Sequence, residues 1–256
     1  MNSNKVALIT GGSSGIGKDV AMLLAKEGYR IAVVASRDLA KAECVIKDIC
    51  AIGGEARAYV ADVRDLKAIK KLAKQVQEDF DGLDVLINAA GIFLPTPVGD
   101  MSDDVVNQMI SVNLNGTINV INAVAPYMKD HGGGKIVNFS SIAGVTGLPT
   151  YSVYAATKAA IIMLTKSLAI ELAPFEINVN AIAPGNTKSP MNEELRTNAE
   201  FIEVVEAMDD LTPSNRTFSN SSEIAGGVLF LISDVAKSMY GSILLMDEGL
   251  SAGLNL

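Results

Sequence analysis

Tyr154 and Lys158 stand four residues apart in a segment whose apolar spacing predicts a helix, so they share one face. A phenol titrates near pH ~10 in water. An ammonium beside it favours the phenolate, which makes the pair a general acid/base for neutral pH. Alone, such a pair is equally an exposed i, i+4 contact. Ser141 lies thirteen residues upstream, at the end of a predicted strand. Its hydroxyl there suits a substrate oxygen next to the phenol. The single histidine, His131, precedes Gly132, Gly133 and Gly134 and reads as a structural helix end, so no Ser-His-Asp triad is legible and Ser141 is not an acyl nucleophile.

A second constellation lies near the N-terminus. The first predicted strand ends in TGGSSGIG, residues 10–17, and a helix follows. Glycines here allow a tight turn and bring backbone N–H groups and the helix N-terminus to a pyrophosphate. The stretch from Gly12 to Lys18 also matches the opening of a mononucleotide P-loop. The next residue is Asp19, however, where that loop needs a hydroxyl for Mg²⁺, so the dinucleotide reading is favoured. The second strand ends at Ser36 and Arg37. An acidic residue at this point would select NAD through the ribose 2′-OH. Arg37 instead offers a guanidinium to a 2′-phosphate, so NADP(H) is expected, with NAD(H) as an accepted second cofactor.

The elements that must position these residues alternate. Strands are predicted at 5–10, 30–35, 56–61, 85–88, 135–140, 177–182 and 242–246. Helices are predicted at 15–28, 39–53, 65–80, 102–130, 152–174 and 222–234. This pattern implies an α/β, doubly wound Rossmann-type parallel sheet of about seven strands flanked by helices. Runs such as VALIT and IAVVA are apolar without alternation, as a sheet covered on both faces requires. No repeat or linker divides residues 1–256, which read as a single domain. Residues 186–221 form a long insertion and read as a substrate lid; a helical hairpin covering the core is the alternative.

Composition narrows the partners. The net charge of −8 disfavours nucleic acid and anionic membrane surfaces, which need clustered cations. No apolar run is read as membrane-spanning, because the stretch 159–173 is interrupted by Lys166 and Glu171. The N-terminal MNSNK runs straight into a strand without a signal-peptide pattern, so a cytoplasmic location is expected. Cys44 and Cys50 form no CxxC pair and read as packing residues, and no metal site is expected.

Together these motifs resemble the short-chain dehydrogenase/reductase family, in its single-domain branch of roughly 250 residues, over nearly the whole chain. The segment carrying Gly11, Ser13, Ser14, Gly15, Ile16 and Gly17 is similar to the family's TGxxxGIG. Asp62 and Val63 resemble the pair that meets the adenine, although Asp62 also suits a helix cap. Asn88, Ala89, Ala90 and Gly91 resemble NNAG behind the cofactor. Asn113, Ser141, Tyr154 and Lys158 fit the catalytic set, and Pro184 with Gly185 fits the turn beside the nicotinamide. The resemblance implies hydride transfer between nicotinamide and a carbonyl or alcohol carbon. In it Tyr154 moves the proton and Lys158 lowers the phenol pKa and bonds the ribose. Ser141 polarises the carbonyl, Asn113 holds a helix kink and a water, and Thr187 approaches the carboxamide. It also implies a homotetramer built on helices 102–130 and 152–174. Three positions depart from the pattern: Ala89 replaces an asparagine, Ser14 stands where a basic residue often supports NADP, and Glu248 interrupts a DGG turn at a subunit contact.

The substrate wall is expected from residues 92–97, 144–152 and 186–211, including Phe93, Leu94, Val145, Leu148, Tyr151 and Met191. Its apolar character points to a neutral ketone or secondary alcohol as the small-molecule partner. Arg196 and Arg216 keep a 3-oxoacyl thioester open. A non-catalytic NAD(P)-binding regulator is the alternative from another class, and it would have no use for Ser141, Tyr154 and Lys158 together. A nucleotide-sugar epimerase would need a longer C-terminal substrate domain.

Overall fold

All seven strands expected from the apolar runs form, and they join one parallel sheet. The structure is a computed structural model and describes residues 5–253; most of the N-terminal stretch read above for export signals lies outside them. In chain order the elements are β1 (Val6–Thr10), α1 (Gly15–Lys26), β2 (Arg30–Ala35), α2 (Leu39–Ala51), β3 (Ala56–Val60), α3 (Leu66–Phe80) and β4 (Val85–Asn88). Then come α4 (Asp103–Met109), α5 (Gly116–Asp130), β5 (Gly134–Phe139), α6 (Ser152–Leu172) and β6 (Ile177–Pro184). The chain continues through β7 (Thr187–Lys188), α7 (Glu193–Thr197), α8 (Ile202–Leu211), β8 (Ser219–Asn220), α9 (Ser221–Ile232) and β9 (Ile243–Met246).

The sheet order is β3-β2-β1-β4-β5-β6-β9, with every pairing parallel. Helices cover both faces, which is why β1, β4 and β6 are buried along their whole length. On one face Leu72 and Val76 of α3, Val124 of α5 and Leu172 of α6 pack on the sheet. On the other, Leu24 of α1, Val45 of α2 and Val228 of α9 do so. The strand order reverses between β1 and β4. In such sheets the crevice at the carboxyl ends beside the reversal holds ligands.

The expected helix 102–130 is not continuous. Between α4 and α5 the chain makes a π-helical stretch, Ile110–Asn115. The wider turn carries Asn113 inward, to 1% exposure, where both ends of its side-chain amide engage the backbone of Ile92. Gly116 permits the close approach that follows, since a Cβ there would lie 2.5 Å from Val63 Cγ2. Asp62 does not cap α3. Asp65 does, accepting from the N–H groups of Lys67 and Ala68.

The insertion 186–221 is mainly helical. Ile202, Val204 and Leu211 of α8 are exposed at 55%, 48% and 66%. Its distal end is anchored. Thr217 donates to Asp209 through both its N–H and its hydroxyl, and Arg216 pairs with Glu223 and Glu248. Glu248 adopts φ 59°, in the left-handed region, and also accepts from Ser219 at 2.6 Å. It is thus engaged within its own chain.

Two further expectations are corrected. Cys44 and Cys50 lie on the exposed side of α2 and do not pack in the core. Among the described residues Ser152–Phe175 is long and apolar enough to cross a membrane, despite its charges. Within this fold the segment comprises α6 and its final turn, and α6 contributes Ile161, Thr165, Ala169 and Leu172 to the buried interior.

Candidate active site

The residues singled out in the sequence gather along the carboxyl edge of the sheet. The glycine loop leaves β1 with Gly11 at φ 68° and Gly15 at φ 53°, both left-handed. Gly17 is fixed by packing, because a Cβ there would stand 2.3 Å from the Gly11 carbonyl oxygen. Ser13 and Ile16 are part-buried, and Ser14, at the head of α1, is exposed with no side-chain capping bond. Lys18 points away and pairs with Asp48 at 2.8 Å, which removes the P-loop alternative. Behind the loop, Asn88 donates to Asn138, which donates to Thr165, forming a buried polar chain. Asn88 Oδ1 itself is buried with no partner among the described residues. An unsatisfied acceptor at the crevice, beside a glycine cradle, fits a polar ligand such as a dinucleotide. Ala89 and Gly91 continue this wall. A Cβ on Gly91 would lie 3.4 Å from Asn113 Oδ1 and 3.7 Å from Lys158 Nζ.

At the outer end of the crevice β2 and β3 finish side by side, Ala35 opposite Val60. Ser36 and Arg37 are exposed there. Asp62 follows β3 and holds the Arg64 guanidinium in a fork, with contacts of 2.6 to 3.1 Å. Those bonds hold the Asp62 carboxyl below its ordinary range, and the charge of Arg37 adds to the effect. Val63 is buried beneath. Arg64 was not singled out in the sequence. Its position two residues past a strand-end aspartate was the available signal.

At the inner end, Ser141 leads out of β5 and its hydroxyl accepts from Ala143 N at 3.2 Å. The same hydroxyl lies close enough to the Tyr154 phenol to favour its ionised form. Lys158 is buried one turn along α6 and donates to the Phe139 carbonyl at 2.8 Å, and its Nζ stands 5.6 Å from the centre of the Tyr154 ring. The pKa directions differ from the simple expectation. Burial raises the Tyr154 phenol, and the nearby Ser141 hydroxyl only partly offsets it. Burial also lowers the Lys158 ammonium, to about 8. Desolvation disfavours the charged form of each group and dominates both shifts. Asn113 stands next to this pair, but its amide is taken by Ile92 and its carbonyl accepts from Thr117 at 2.8 Å.

Pro184 and Gly185 end β6 against the C-terminal turn, where a Cβ on Gly185 would stand 2.8 Å from Asp247 Cα. Thr187 is buried and turns its hydroxyl back to the Gly185 carbonyl at 3.2 Å. The insertion then passes over the glycine loop. A Cβ on Gly15 would lie 3.4 Å from Ser189 Cβ and Pro190 Cδ. Ser189 was missed in the sequence, although it follows the Pro-Gly turn at short range. Around the mouth, Val145, Leu148 and Met191 are exposed at 49%, 37% and 53%, and Leu94 and Tyr151 are part-buried. Phe93 lies between Tyr151 and Tyr154. Neither arginine of the insertion is free: Arg196 bonds Asn192 and the Ser189 carbonyl, and Arg216 is ion-paired. A part-buried tyrosine and a buried ammonium with a serine hydroxyl, facing a glycine cradle, can exchange a proton with a bound oxygen.

The family model described as short chain dehydrogenase matches residues 5–200. The 3-oxoacyl-[acyl-carrier-protein] reductase FabG of Staphylococcus aureus (strain Mu50) is 40% identical over 250 residues, covering 98% of this chain and 99% of the relative. Among solved structures, a variant of actinorhodin polyketide ketoreductase with NADPH is 31% identical at TM-score 0.93, covering 99% of each chain. Acetoin dehydrogenase from Enterobacter cloacae is 33% identical at TM-score 0.86, covering 98% of this chain and 97% of that one. The chain is an NAD(P)-dependent oxidoreductase acting on carbonyl or hydroxyl groups, and it belongs to the short-chain dehydrogenase/reductase family.

Proposed function

We propose that this chain is an NADP(H)-preferring carbonyl reductase and alcohol dehydrogenase for neutral ketones and secondary alcohols, with Tyr154 as proton donor and acceptor. The observation that carries the reading is buried Lys158, bonded to the Phe139 carbonyl with its Nζ 5.6 Å from the Tyr154 ring centre, beside Ser141 at the carboxyl edge of the sheet. The bound nicotinamide supplies or accepts the hydride. Backbone N–H groups of Gly11, Ser13, Ser14, Gly15, Ile16 and Gly17 hold the pyrophosphate, and Arg37, with Ser36, takes the 2′-phosphate. Asp62 and Val63 meet the adenine. Asn88, Ala89 and Gly91 form the back wall, and Lys158, Pro184, Gly185 and Thr187 hold the nicotinamide end.

In reduction, Ser141 donates to the carbonyl oxygen and orients it. Tyr154, kept protonated by its burial, gives its proton to that oxygen as charge develops there. The Lys158 ammonium then stabilises the phenolate. Asn113 keeps the loop at Ile92 in place. In oxidation the phenolate takes the hydroxyl proton back. Residues 186–221 act as the lid over Leu94, Val145, Leu148, Tyr151 and Met191, and they close against the glycine loop through Ser189 and Pro190.

Neutral substrates are favoured because Arg196 and Arg216 are both engaged, which leaves little to hold a carrier phosphate. A 3-oxoacyl thioester is the second reading, supported by the 40% identical 3-oxoacyl-[acyl-carrier-protein] reductases. Rates on a panel of neutral ketones and 3-oxoacyl thioesters, each with NADPH and NADH, separate the two. Higher kcat/KM on the thioesters would overturn the neutral-ketone reading. The exposed apolar residues Ile110 and Ile118, with Met163 and Ile170 on α6, support assembly of the chain as a homotetramer. A monomer in light scattering at micromolar concentration would contradict it.

A further inference from the structure

Beside the phenol the structure holds an aromatic assembly that the proton chemistry does not require. The Phe93 ring lies flat on Tyr151, with centroids 4.1 Å apart and planes within 4°. The same ring meets Tyr154 edge-to-face, at 4.7 Å and 81°. Phe93 therefore spans the two tyrosines of the first turn of α6 from a different part of the chain, the loop after β4.

That loop is stapled in place. Thr96 is 1% exposed. Its N–H donates to the Thr150 carbonyl at 2.6 Å, and its hydroxyl accepts from Val153 N, an otherwise unpaired donor of the first turn of α6. Thr150 presents its carbonyl by adopting φ 63°. A β-branched residue in the left-handed region is strained. The two aromatic contacts of Phe93 help to offset that strain. Strain kept next to a reaction centre points to a geometry that the site uses.

We infer that Phe93 is a specificity-determining residue: its ring, clamped between Tyr151 and Tyr154 by the Thr96–Thr150 staple, limits the size of the carbonyl substituent on the phenol side and keeps water off the phenol. This rests on the carbonyl-reductase reading above. Removing the ring opens space where a bulkier substituent fits, and it admits solvent to Tyr154. The ring acts on the proton step only through Tyr154, so there it is a positioning residue.

The test compares Phe93→Ala, Phe93→Leu and Phe93→Tyr with the parent on butanone and on propiophenone, with NADPH in excess. Phe93→Ala is expected to raise the propiophenone-to-butanone ratio of kcat/KM by about ten-fold, a difference of about 1.4 kcal/mol. The NADPH KM should stay unchanged, Phe93→Leu should give an intermediate ratio, and Phe93→Tyr should retain the parent's preference. Rates that fall in parallel on both ketones, or an unchanged ratio, would overturn the size limit. Titration of ¹³C-labelled tyrosine by NMR, with Tyr154→Phe to assign the signal, reads the second half without turnover. Phe93→Ala should lower the Tyr154 midpoint, and an unmoved midpoint would overturn the positioning role. If the parent reduces neither ketone nor any other carbonyl, the carbonyl-reductase reading fails and the size limit with it, while the titration still decides the positioning.

Discussion

The Lys158 ammonium is bonded to the Phe139 carbonyl at 2.8 Å, while it stands 5.6 Å from the centre of the Tyr154 ring. The ammonium of the acid/base pair is thus held by a strand-end carbonyl. Burial then drives the pKa values of the pair past each other and apart, the phenol upward and the ammonium downward to about 8.

A pH dependence follows. Reduction needs the phenol protonated and the ammonium charged. The phenol keeps its proton across neutral pH, so the ammonium is the first of the two to be lost as pH rises. The kcat/KM for reduction should be level below pH 7 and fall through a limb near 8. The residual rate of Lys158→Met should lack that limb. A limb near 8 that survives in Lys158→Met would assign it elsewhere.

The cofactor preference resides at the ends of β2 and β3. Arg37→Ala should raise the NADPH KM by about ten-fold or more and change the NADH KM little, since one charge-assisted contact contributes about 1.5–3 kcal/mol. Steady-state kinetics with both cofactors checks this. Equal effects on the two would remove Arg37 from the 2′-phosphate site.

Gly17→Ala should damage the cradle. Its Cβ would meet the Gly11 carbonyl oxygen at 2.3 Å, and both are backbone positions with little freedom to yield. We expect a loss of about 1–3 kcal/mol in stability, a lower thermal midpoint by calorimetry and weaker NADPH binding. An unchanged midpoint and affinity would show that the loop adapts.

The anchor between Arg216 and Glu248 should govern the insertion locally. Glu248→Gly removes the ion pair and the Ser219 bond but relieves the left-handed backbone at φ 59°. The global thermal midpoint should therefore move by only a few degrees, about 1 kcal/mol or less. Hydrogen exchange across residues 202–219 should nevertheless quicken several-fold. Unchanged exchange there would mean that the contact of Asp209 with Thr217 suffices.

Much of this was legible in the chain because burial on both faces leaves strands as plain apolar runs. The predicted ranges 30–35 and 85–88 coincide with β2 and β4. The glycine loop was legible for a similar reason, since glycine most readily meets the left-handed backbone of Gly11 and Gly15, and the close packing of Gly17 leaves no room for a Cβ. The π-helical stretch is absent from the local pattern of 102–130, and only the family resemblance pointed to a kink at Asn113, which bonds the distant Ile92 backbone. The rise in the Tyr154 pKa was not legible either, since it follows from burial by the surrounding chain. The Phe93–Tyr151 stack and the Thr150 backbone are likewise products of packing between distant loops.

The central claim is that Tyr154 moves the proton. Single-turnover reduction of a responsive ketone by Tyr154→Phe, with NADPH affinity measured in parallel, tests it directly. The account predicts a rate lower by about 10²–10⁴-fold with NADPH binding within about two-fold of the parent's. A rate within a few-fold of the parent's would contradict it.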